Sequence, residues 1–163
     1  MKIKWGAVAG GAAFVAAVFF AIPSFLRHNT GAKPDQFPGA FEQTRTCADS
    51  VSHGNAGVRG ETFTHAVNGG VHVVSSDSLH KLLPGQPVIA LTHTVIDSAS
   101  HDTTITIYTE PPADLLVLQH EFANALSWRH RVALIGSDTG KFLTSAFYKR
   151  CVTYCPKCSA GAY

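Results

Sequence analysis

The hydrophobic pattern of this chain falls into two regimes. Residues 5–26 run without a single charged side chain, whereas beyond residue 46 apolar positions recur in short alternating or helical pieces. A hydrocarbon core is crossed by about 20 apolar residues in a helix, so the first regime predicts a transmembrane span. The second predicts one small folded domain.

Within that domain, residues 61–67 and 71–75 flank Asn68-Gly69-Gly70, a hairpin signal between β-capable runs. Residues 76–83 read as a short helix stopped by Pro84-Gly85. A strand pair is expected over 87–96 and 103–109, and the alternation Thr104-Ile105-Thr106-Ile107 implies one buried and one wet face. Pro111-Pro112 and Asp114 introduce a helix over 112–128. Its Leu115, Leu118, Phe122, Ala125 and Leu126 share one side, which leaves His120 and Asn124 toward solvent. A last hairpin is expected over 132–135 and 141–149. Hairpins around one main helix predict an α+β fold, a small antiparallel-sheet domain behind a single N-terminal transmembrane helix.

The resulting organisation is a cytoplasmic N-terminus (1–4), an anchor (5–26), a juxtamembrane linker (27–46) rich in Gly, Pro and polar residues, an extracytoplasmic domain (47–158) and a short tail (159–163). A cleaved signal peptide is the rival reading of the first segment. The end of the run, with Phe19 before Ala21 and Ile22 before Ser24, lacks paired small residues at the cleavage positions, so the anchor is retained. Lys2 and Lys4 against Arg27 and Lys33 place the N-terminus in the cytoplasm by the positive-inside rule, and the domain in the periplasm if the cell is Gram-negative. Gly6, Gly10, Ala9, Ala13, Ala17 and Ala21 form a small-residue ridge suited to packing against another transmembrane helix.

Charge changes the picture by exclusion. With 13 Lys plus Arg against 11 Asp plus Glu, the chain lacks the basic footprint of a nucleic-acid binder. Candidate chemistry is concentrated in Cys and His. Cys47, Cys151, Cys155 and Cys158 are expected to form two disulfides outside the cytoplasm, with three pairings open. Cys155-Pro156-Lys157-Cys158 also resembles a zinc-ribbon knuckle, whose remaining ligands Cys151 and Cys47 are placed to supply. His65 and His72 lie symmetrically about Asn68-Gly69, and a two-residue turn would oppose them as a metal pair or a proton-sensitive latch. His93 shares a strand face with Ile89, Leu91 and Val95, as a hydrogen-bonded core histidine would.

His120-Glu121-Phe122-Ala123-Asn124, with His130 ten residues after His120, resembles the zinc signature of metzincin proteases. The resemblance implies a metal-dependent hydrolase, but Asn124 replaces the second histidine, Ser127 the glycine, and Met1 is the sole methionine. Cys151-x-x-x-Cys155-x-x-Cys158 matches radical S-adenosylmethionine spacing, yet only five residues follow it. Neither resemblance carries an activity, and no cofactor is assigned. The expected function is therefore a membrane-anchored structural or accessory subunit, cellular or viral, contacting transmembrane and extracytoplasmic protein subunits and membrane lipid. The alternative is a membrane-tethered metal or thiol-redox protein using the C-terminal cysteines.

Overall fold

The computed structural model describes residues 13–17, 32–86 and 88–134. They form a mixed α+β fold with a small sheet and several helices. In chain order these are strand β1 (Ala13–Ala17), helices α1 (Phe37–Val51), α2 (Ala56–Gly60) and α3 (Phe63–Ala66), strand β2 (Val71–Val73), helix α4 (Ser76–Leu82), strands β3 (Ala90–Ile96) and β4 (Thr103–Thr109), and helix α5 (Leu115–His130). The sheet order is β1-β3-β4-β2. β3 and β4 pair antiparallel with Ala90 opposite Thr109 and Ile96 opposite Thr103. β2 pairs parallel to β4, with His72 opposite Tyr108.

The β3–β4 hairpin, α4 and α5 form where their patterns place them. Ser75 caps α4 by accepting from the Ser78 N–H, and Asp114 caps α5 by accepting from the Leu116 N–H at 2.9 Å. Three expectations change. The linker expected over 27–46 gives way from Pro34 onward to a 3-10 turn and α1, whose Phe37, Ala40, Phe41, Thr44 and Ala48 recur at helical spacing and are buried. Pro38 is accommodated because it sits in the first turn, where its missing N–H is not needed. The hairpin expected over 61–75 is absent. Phe63–Ala66 is helical, and the following turn serves β4 instead: Asn68 Nδ2 donates to the Thr103 carbonyl and Asn68 Oδ1 accepts from the Ile105 N–H. Gly69 lies so close to β4 that a Cβ there would meet Thr106 Oγ1 at 2.0 Å. The parallel β2–β4 pairing then replaces the all-antiparallel sheet expected.

The third change concerns residues 13–17. The part of the expected span that is described runs as a strand, antiparallel to β3 with Ala13 opposite Thr94 and Ala17 opposite Ala90. No helix among the described residues is long and apolar enough to cross a membrane. Gly6, Gly10, Ala9 and Ala21 lie outside the described residues, as does the hairpin expected over 132–135 and 141–149 apart from residues 132–134, which are not in a strand.

Two long helices thus share the core where one was expected. α5 packs against α1 on one side and against β3 on the other. Phe41 of α1, Phe63 of α3 and Phe122 of α5 meet edge to face in all three pairs, with centroids 5.6 to 6.0 Å apart. Because Phe41 and Phe122 are fully buried, Phe122→Ala is expected to cost about 3 to 5 kcal/mol. Urea unfolding checks this: the midpoint falls while the slope is unchanged.

Candidate functional site

A helix packed on two sides has no wet face for its polar residues. Gln119, His120, Glu121 and Asn124 are all buried, His120 and Glu121 at 0 % exposure. This corrects the expectation that His120 and Asn124 point to solvent. That expectation assumed a helix lying on a single layer.

The polar residues are ordered by the register of α5 on β3. Val117 packs with Ala90, and Glu121 Oε2 accepts a 2.5 Å hydrogen bond from Thr92 Oγ1, whose hydroxyl also approaches the Glu121 carbonyl at 3.3 Å. Four helical residues advance about 6 Å and two strand residues about 6.6 Å, so helix and strand stay in step. Asn124 and Thr94 are buried as well. Among the described residues Thr94 Oγ1 has no hydrogen-bond partner.

Burial decides the charge state. It raises the Glu121 carboxyl to about 7, against the opposing pull of hydrogen bonds from Thr92 and Asn124. Burial also lowers His120 to about 4. The imidazole is therefore neutral at physiological pH, and Glu121 stands near its midpoint. Both groups lie in the interior, between the layers that cover α5.

The metzincin-like set does not assemble. Ten residues along a helix carry His130 about 15 Å along the axis and about 80° around it from His120. His130 instead joins a second cluster, at the C-terminal end of α5. Glu61, with a side chain only 2 % exposed, lies between two histidines: Oε1 meets His65 Nδ1 at 2.6 Å and Oε2 meets His130 Nε2 at 2.7 Å. The Thr62 N–H also donates to Oε1 at 2.9 Å. His65 is held by its Nδ1 and stays largely exposed. Arg129 ties the same region together, donating to the His65 carbonyl, Asn68 Oδ1 and the Thr103 carbonyl.

His65 and His72 are not opposed, because no hairpin joins them. His72 lies across the sheet, its ring stacked on Tyr108 with centroids 5.5 Å apart and its Nε2 2.9 Å from the Gly69 carbonyl. His93 packs near the same Tyr108 ring, at 6.4 Å. Cys47 is disulfide-bonded and so is withdrawn from the four-cysteine zinc set. Cys151, Cys155 and Cys158 lie outside the described residues. Among the described residues no group of three His, Cys, Asp or Glu side chains is arranged to hold a metal ion. Sequence reasoning singled out His65 and His130 on other grounds and missed Glu61. The one signal available was its spacing of four from His65, a helical neighbour distance concealed by the hairpin reading.

No protein family, curated protein or solved structure matches this chain.

The two buried groups of α5 have opposite pH signatures. Glu121 is raised when folded, so the stability it allows is present below about pH 4.5 and lost as pH rises toward 7. His120 is depressed, so its contribution is present above about pH 6.5 and lost as pH falls toward 4. Between these limits the slopes oppose each other. Glu121→Gln removes one of them: relative to wild type, the variant gains stability progressively from pH 5 to pH 8, by roughly 1 to 3 kcal/mol. Denaturant melts across that range measure the gain. Parallel curves for the two proteins would refute the assignment.

Proposed function

We propose that this chain is a membrane-anchored accessory subunit of a membrane-embedded assembly, acting through protein contacts outside the cytoplasm. The observation that carries this reading is how closely the folded body follows the uncharged segment. Ala32 donates its N–H to the Ala113 carbonyl and packs against the core, so only residues 27–31 separate the body from residue 26. Six residues, from 26 to 32, reach at most about 20 Å. The N-terminal end of α5, beside Ala113, therefore faces the lipid at short range. Its C-terminal end, about 24 Å further along the axis, is turned away.

That far end carries exposed apolar side chains. Trp128 is 37 % exposed, and Val95 and Ile96, at the end of β3, are 43 % and 48 % exposed. Arg129 bonds the Thr103 carbonyl, opposite Ile96, which brings this end of α5 to the hairpin. Ile96, on the strand face that Thr92 turns to α5, and Trp128 expose apolar side chains at an end turned away from lipid, which suits a protein partner. The Cys47 disulfide supports an oxidising, extracytoplasmic setting. Anchoring takes residues 13–17 off the edge of β3.

Alkaline carbonate extraction and native electrophoresis in mild detergent test the reading. The chain is expected to stay with the membrane pellet and to migrate above its monomer mass. Combining Ile96→Ser with Trp128→Ser returns a still-folded chain to monomer mass. A mature protein that begins after residue 26 and stays in the soluble fraction contradicts the anchor. Unchanged migration of the double variant contradicts the contact surface.

A further inference from the structure

We propose that the outer edge of β3, residues 90–94, is a strand-acceptor site for an uncharged, extended segment of a partner subunit, occupied in this structure by the chain's own Ala13–Ala17. The proposal rests on the anchored reading above, because the same five residues cannot both cross a bilayer within residues 5–26 and pair with β3. Whenever the segment is in lipid, β3 loses its five register partners on that side.

An edge strand left open is normally protected by charge, proline, a bulge or shortness. β3 has none of these. Its seven residues, Ala-Leu-Thr-His-Thr-Val-Ile, include no Lys, Arg, Asp, Glu, Pro or Gly, and they pair with β4 in an unbroken seven-residue register. The opposite edge of the sheet is built differently, since β2 is three residues long. The β3 edge is thus the one in this sheet suited to continuous cover.

The rigid backing of the edge favours the same use. Thr92 is tied to Glu121 of α5, Ala90 packs with Val117 and Leu91 with Leu79, so the strand is held by groups other than Ala13–Ala17. A preorganised strand with free backbone N–H and C=O groups along one side is the requirement for β-augmentation. The occupant's character is set by what the edge accepts in this structure: an uncharged segment, antiparallel, spanning the positions opposite Ala90 to Thr94. Val95 and Ile96 follow the last described pair and are exposed, Ile96 on the face that Thr92 turns to α5.

The test uses the full chain, lipid-free and in nanodiscs of phosphatidylcholine with phosphatidylglycerol. The probe is a synthetic peptide of residues 12–18 between lysine pairs, and the readout is amide hydrogen exchange of residues 90–94. The chain is expected to co-elute with the nanodiscs, with faster exchange at 90–94 than in the lipid-free protein. Adding the peptide slows that exchange at least about tenfold, and a peptide N-methylated at alternate nitrogens does not. If the chain co-elutes but exchange at 90–94 ignores the peptide, or the N-methylated peptide protects equally, the acceptor site is refuted and the anchor stands. If the chain does not enter nanodiscs, the anchored reading fails and the acceptor proposal falls with it.

Discussion

The architecture depends on helix α5 lying between two layers. α1 and the Phe41-Phe63-Phe122 cluster enclose one side and β3 encloses the other, so eleven of its sixteen residues are buried, four of them polar. Burying a carboxyl group is tolerable only when it is protonated or fully paired. The hydrogen bond between Thr92 and Glu121, and the raised affinity of Glu121 for its proton, are the response to that constraint. The same bond fixes register. Sliding α5 by one turn along β3 would set Val117 against Thr92 and leave the acid without its hydroxyl partner. A polar rung that contributes little net stability can therefore still define a single way of docking the helix.

Local chemistry was legible where it acts alone. Alternation at residues 104–107 marked β4, Pro84-Gly85 marked the end of α4, and Pro111-Pro112 with Asp114 marked the start of α5. What stayed hidden depends on a third layer or on distant partners. α1 went unread because Pro38 and Gly39 interrupt a real period of buried residues, and only its packing on α5 makes that helix worthwhile. The Asn68-Gly69 turn carries hairpin chemistry, but its hydrogen bonds go to Thr103 and Ile105, thirty-five residues or more away. No local rule anticipates that. The solvent-face reading of His120 and Asn124 failed for the same reason, since periodicity identifies one apolar stripe and cannot reveal a sheet covering the other side.

Residues 13–17 show the sharpest competition between local and global preference. As part of an uncharged run, they suit a bilayer. As five extended residues, they complete the edge of β3. Under the anchored reading proposed above, membrane insertion of this segment and completion of the sheet edge exclude one another. The Glu61 cluster belongs to the opposite end of α5, where a buried carboxylate and Arg129 bind α3, the turn at Asn68 and the β3–β4 hairpin to the helix terminus. The domain is thereby fixed around α5 at both ends, with the neutral His120 and the buried Glu121 between them.

The protonation state of Glu121 tests this arrangement most directly. Infrared difference spectroscopy of the chain labelled with carbon-13 at glutamate carboxyls, with Glu121→Gln as the reference, isolates its band. The account predicts a protonated carboxyl at pH 6 that gives way to carboxylate around pH 7. A carboxylate band already dominant at pH 5 would mean that Glu121 meets water, and that α5 is not enclosed on its second side.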